Sequence, residues 1–359
     1  MPEPVPLIFR AFSSPNILKG LGESEWNKLI FQAYRVKQVA RLYALLKHEQ
    51  FAGCIPHNLL WHFTSAWQVT QAHARDYTYT LNKLAVQLSP LKSDIILLKG
   101  SAYALSETQA VSAGRLFSDI DIFVPQKHLG STEQLLGWSG WQFDKQDEYD
   151  MGYYRAWMHE LPPMSHPALP MSLDVHHHIV PIISRTAFAL EPLVASVRDS
   201  AIPRFKILSA EAQLIHTAMH MLTNDDVTNI SRDLLDFYLN YTAQPAPEFT
   251  ANLIDLAQVS QTHTHVYRAL RLMHNFFDIA FEEAVKKEVF ACTYRDQIID
   301  HLYRQLILGK VHNQDPNKFS YQQALLLVRA HYLKMPVPIL LKHSIHKILA
   351  GLNKAKTDT

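Results

Sequence analysis

The 359-residue chain is predicted to be α+β: a small mixed-sheet core flanked by N-terminal helices and followed by an all-helical C-terminal part. Three observations predict this. Glycine is scarce, and six of the 11 glycines fall between positions 100 and 152. No glycine occurs from 153 to 308, as suits packed helices that need few positive-φ positions. Short apolar runs alternating with helical segments fall in the window from about 93 to 183. The expected boundaries are 1–90 for the N-terminal helices, 91–185 for the α/β core and 186–359 for the C-terminal helices.

The elements follow in chain order. Residues 57–89 lack Gly and Pro, and Phe63, Trp67, Tyr77, Leu81, Leu84 and Leu88 belong to a pattern spaced by threes and fours, which predicts a helix. Trp61, Phe63 and Trp67 read as core rather than as a base-stacking platform. Ser89-Pro90 ends the helix, because a residue before proline is pushed out of the α region. Ile95-Ile96-Leu97-Leu98 reads as a strand, residues 120–124 as a second, 153–158 as a third and 171–179 as a fourth. A helix is expected over 129–138. Ser209 is a good N-cap for the next helix, with Glu211 in its first turn and Leu214, Ile215, Ala218, Met219 and Leu222 as its stripe. More helices are expected from about 227 to 239 and over 253–257, 267–281, 298–308 and 321–333.

Composition narrows the function classes. With 34 basic and 33 acidic residues the net charge is +1, unlike a strongly basic nucleic-acid binder. No DNA-binding motif stands out. A hydrophobic fraction of 48% suits a chain with a large core. Cys54 and Cys292 are too few for a disulfide framework or a four-cysteine zinc site, and read as reduced thiols. No run of 18 apolar residues predicts a transmembrane helix, and the proline-rich start lacks the pattern of a signal peptide. A cytoplasmic protein is expected. The segment from 321 onward has six basic residues against one acid, with Leu341, Ile345, Ile348, Leu349 and Leu352 as an apolar stripe. It reads as a helix packed on its own domain rather than as an RNA or membrane contact.

One constellation carries chemistry. Ser118-Asp119-Ile120-Asp121-Ile122 puts two carboxylates on one strand face, since side chains alternate. Two adjacent carboxylates repel unless a cation lies between them, and such pairs suit Mg²⁺. Asp174 supplies a third carboxylate in another apolar strand, and His176 shares its face. Such a trio could hold two metal ions for a phosphoryl or nucleotidyl displacement. Upstream, Lys99, Gly100 and Ser101 form a strand end opening a helix, a candidate phosphate cradle. Arg115 could also meet phosphate charge. The run His176-His177-His178 invites a zinc reading, but alternation sends His177 to the opposite face.

In this order, Gly-Ser, helix, Asp-x-Asp and a later strand aspartate, the chain resembles the polymerase-β-type nucleotidyltransferase superfamily. More narrowly, it resembles the bacterial uncharacterised nucleotidyltransferase family. The residues that carry this are Leu98-Lys99-Gly100, Arg115, Asp119 to Val124, and Leu173-Asp174-Val175-His176, over roughly 93–180. Arg232-Asp233-Leu234-Leu235-Asp236 also looks like that family's downstream helical segment. The resemblance implies a nucleotidyltransferase core in which Asp119 and Asp121 bind Mg²⁺ or Mn²⁺ with the triphosphate of an NTP. It implies that Asp174 completes the metal site and helps deprotonate the acceptor hydroxyl, while Gly100 and Ser101 meet phosphate. Lys99, Arg115 and His176 complete the expected binding set. An NMP would then pass from NTP to a small molecule, a protein side chain or an RNA end. A catalytically silent nucleotide- or partner-binding module is the alternative, and metal-dependent phosphohydrolysis a third reading.

Overall fold

The structure, a computed structural model, describes residues 4–105, 109–144, 148–244, 248–312 and 320–342. Four helices come first, α1 (Leu7–Ser13), α2 (Glu23–Arg35), α3 (Val39–His48) and the 28-residue α4 (Leu60–Gln87). The sheet region follows with β1 (Ile95–Leu97), α5 (Lys99–Ala104), α6 (Gln109–Ser112), β2 (Asp119–Phe123), α7 (Leu129–Trp138) and β3 (Gln142–Phe143). It continues through α8 (Glu148–Trp157), β4 (Met164–Ser165), β5 (Ser172–His176), α9 (Glu191–Val194), β6 (Val197–Asp199) and β7 (Phe205–Leu208). Helices α10 (Ala210–Thr223), α11 (Ile230–Thr242), α12 (Glu248–Val259) and α13 (His263–Phe277) come next. The last are α14 (Glu283–Val289), α15 (Tyr294–His312) and α16 (Tyr321–Lys334). The fold is α+β.

The seven strands form one mixed sheet in the order β3-β4-β5-β2-β1-β7-β6. β2 pairs parallel with β5 and β1 parallel with β7, while the other pairs are antiparallel. Strand alternation divides the core. Ile95, Leu97, Ile120, Ile122, Leu173, Val175 and Ile207 pack with Tyr77, Leu81 and Leu84 of α4 on one face. Ile96, Leu98, Phe123 and Leu208 face the other way, into a larger core built from α1–α3 and α10–α15. The N-terminal helices thus share a core with the C-terminal ones. Phe9 of α1 lies 4.9 Å and 5.3 Å, ring to ring, from Phe276 and Phe277 of α13. Asp119, Asp121 and Asp174 are in phase with Phe123, so they point toward this helical side.

Several expectations change. Residues 153–158 do not form a strand: 148–157 are helical. Aromatic residues favour strands in general, but Tyr153 and Trp157 meet at helical i, i+4 spacing, with ring centroids 5.5 Å apart. β5 stops at His176 rather than 179. The stretch from 186 onward, expected to be all helical, contains β6 and β7 after the short α9, and these strands extend the sheet beyond β1. Trp61 is 58% exposed and stacks on His62, while Phe63 is fully buried. The Ser209 cap is present, its hydroxyl accepting a hydrogen bond from the Ala212 amide at 3.2 Å. The stripe residues Ile345, Ile348, Leu349 and Leu352 lie outside the described residues. Among the described residues, no helix is long and apolar enough to cross a membrane.

Candidate active site

The parallel register of β2 and β5 sets Asp121 directly beside Asp174, with Asp119 one pleat earlier. One carboxylate oxygen from each of Asp119, Asp121 and Asp174 lies within 4.8 Å of the other two. Asp121 is almost fully buried. Its Oδ1 accepts a hydrogen bond from Lys99 Nζ at 2.8 Å and faces His176 Nε2 at 3.0 Å. Burial alone would raise its pKa, but Lys99 and His176 outweigh burial and hold it below the usual carboxylate range. Asp174 has no such support. Burial, then the charges of Asp121, Glu160 and Asp119, push its carboxyl up to about 7. The cluster is short of positive charge, and a divalent cation would supply it.

Lys99 makes the corner between β1 and α5. Its φ of +45° is in the left-handed region, which costs a non-glycine residue about 1–2 kcal/mol. Gly100 follows at the cleft wall. A Cβ there would lie 2.6 Å from Arg115 Nη1 and 3.3 Å from Cζ, so the packed guanidinium is what requires glycine.

Ser101 is placed differently from the expectation, and Arg115 reaches the cleft while anchored outside it. Ser101 is fully buried, and its hydroxyl accepts hydrogen bonds from Tyr77 Oη at 2.5 Å and from the Asp121 amide at 2.8 Å. It ties α4 and α5 to β2 at the central carboxylate and is not on the cleft wall. Arg115 is buried too, and donates to Asp236 of α11 at 3.0 Å and 3.1 Å. Arg41 of α3 donates to the other Asp236 oxygen at 2.5 Å. Two arginines therefore share one carboxylate, and Arg115 also lines the carboxylate cleft beside Lys99 and Gly100. Burial would raise Asp236, but Arg115 and Arg41 hold it low.

The carboxylates open into a cleft of about 360 Å³ between the sheet and the link from α10 to α11. Lys99, Glu160, His220, Asn224, Asn229 and Arg232 are among its lining residues. Glu160 and the α10–α11 residues are not in the expected set. Arg232 stands inside a segment that carries the family resemblance, a signal that could have found it. Glu160 has no motif around it and reaches the site only because its backbone bridges to His176 at the end of β5.

With this geometry in hand, the comparison with known families is direct. Residues 22–278 match the family described as uncharacterised nucleotidyltransferase. The chain belongs to that family. The match extends well beyond the motif region, from α2 through the sheet and cleft to α13. Among curated proteins and among solved structures, nothing matches the chain.

Proposed function

We propose that this nucleotidyltransferase is metal-dependent and moves an NMP from an NTP to an acceptor hydroxyl, with release of pyrophosphate. The observation that carries the reading is the convergence of Asp119, Asp121 and Asp174 in one cleft, within 4.8 Å of one another. Three hard carboxylate oxygens that lack enough positive charge suit Mg²⁺ or Mn²⁺. A bound ion would neutralise phosphate charge and polarise the phosphorus centre.

The chain's own residues would do the rest. Lys99, Arg115 and Arg232, all lining the cleft and each paired with a carboxylate, give the triphosphate cationic partners. Asp174, beside Asp121 on the neighbouring strand, takes the proton from the acceptor hydroxyl. The acceptor oxygen then bonds to the α-phosphorus as the bond from that phosphorus to the β-bridging oxygen breaks and pyrophosphate leaves. Gly100 and Ser101 fix the corner and the strand. The test incubates the protein with each α-labelled NTP, Mg²⁺ and cell extract. A labelled product that disappears with Asp121→Asn supports the reading. No transfer with any NTP, by folded protein, counts against it.

A further inference from the structure

His176 presents a charge problem that the carboxylate cluster does not solve. Its Nε2 is 3.0 Å from Asp121 Oδ1 and its Nδ1 is 3.3 Å from Glu160 Oε2, in a side chain 1% exposed. A neutral imidazole donates from one nitrogen only, so its other lone pair would face a carboxylate oxygen. A proton on either group or a metal ion between them resolves this contact. His159 adds a third candidate ligand, its Nε2 being 3.6 Å from the same Glu160 oxygen. One ligand atom from each of His159, Glu160 and His176 lies within 4.8 Å of the other two. Donors around a tetrahedral zinc with Zn–N of about 2.0–2.1 Å are separated by roughly 3.3 Å, close to the two contacts at Glu160.

We propose that His159, Glu160 and His176 form a second metal site, distinct from the aspartate trio and suited to a zinc-class ion. His176 binds through Nδ1, leaving Nε2–H to donate to Asp121. This is the usual arrangement in which a carboxylate orients a metal-bound histidine. Two imidazoles and one carboxylate are the ligand set of zinc sites that keep an open position. Beside His159 and Glu160 is a pocket of about 90 Å³ that Lys99, His220, Asn224 and Lys334 also line, so a fourth ligand there would be a water or an anion. The backbone holds the trio in place, since the His177 and His178 amides both donate to the His159 carbonyl, at 2.8 Å and 3.1 Å. The other two histidines of the run take no part. His178 Nδ1 lies 2.8 Å from the Val180 carbonyl, and the cluster does not include His177.

The test titrates zinc into the full chain in excess Mg²⁺, which occupies the aspartate trio, and reads Co²⁺ in place of zinc by its visible absorption. One equivalent of zinc and a four- or five-coordinate Co²⁺ spectrum are expected. Glu160→Gln, nearly isosteric, and His159→Ala should each weaken zinc by about tenfold or more. Asp119→Asn should leave it within about twofold, because Asp119 is in the other trio only. Folding of each variant is followed by its thermal melt, and Glu160→Gln carries the test if His159→Ala does not fold. Absence of stoichiometric zinc means that a proton alone fills the gap, and overturns the proposal. So does zinc lost on Asp119→Asn but kept on Glu160→Gln. Neither result bears on nucleotidyl transfer, which is assayed separately.

Discussion

Asp121 does two jobs, as a candidate metal ligand and as the counter-charge of Lys99 and His176. Asp121→Asn keeps the shape and removes the charge, so transfer should be lost while the fold remains, as label transfer and circular dichroism will report. Wild-type turnover would remove Asp121 from the mechanism. Gly100→Ala should destabilise by about 1–3 kcal/mol in urea unfolding, because the new methyl meets a guanidinium that Asp236 holds in place. A neutral result would show that Arg115 moves aside freely. The aspartates were legible in the sequence because strand alternation dictates which side chains share a face. Ser101 was read as a phosphate ligand because its partners Tyr77 and the Asp121 amide are set by the docking of α4 and β2, which no local pattern records.

At the scale of elements, the brace from Arg41 on α3 through Asp236 on α11 to Arg115 before β2 joins the helical core to the Lys99–Gly100 corner. Asp236→Ala leaves two buried guanidinium groups without their carboxylate and should cost about 3–5 kcal/mol. A loss under about 1 kcal/mol would mean that the brace is slack. Gly114 belongs to the same joint: its φ is +73°, and a Cβ there would lie 2.7 Å from the Arg41 nitrogen and nearer still to the Ala40 carbonyl. The helices of this joint were legible from periodicity, but the pairing was not, since Arg41 and Asp236 are 195 residues apart. The strand expected over 153–158 failed for a related reason. A cluster of aromatic residues carries no period of its own, and only the packing of Tyr153 with Met158 and Met335 shows what it buries.

Across the whole molecule, two cores meet along the sheet and the cleft opens on the helical side. The carboxylate-bearing face was legible from the sequence, but the opposite wall, from His220 to Arg232, was not, because it depends on how α10 and α11 cross the strands. The helical core also makes stability depend on pH. His216 and His265 are buried, and burial lowers both pKa values, that of His265 to about 3 against an ordinary 6.5. Between those limits the unfolded chain binds more protons than the folded one, so their contribution is complete above about pH 6.5 and declines as the pH falls. The His265 contribution should be lost from about pH 6.5 downward, against the opposite trend from the raised Asp174 carboxyl, so the melting temperature of His265→Leu should fall less, or rise more, than that of the unaltered chain over that range. An unchanged slope would mean that His265 titrates normally.

In the proposed function, the aspartate trio binds nucleotide through a divalent cation. The triphosphate brings about four negative charges to a cleft that Asp119, Asp121, Asp174 and Glu160 already line. Calorimetric titration of NTP with and without Mg²⁺ tests this most directly. Clear binding with Mg²⁺, poor binding without it, and loss of the difference in Asp121→Asn are expected. Equal affinity in both conditions would contradict it.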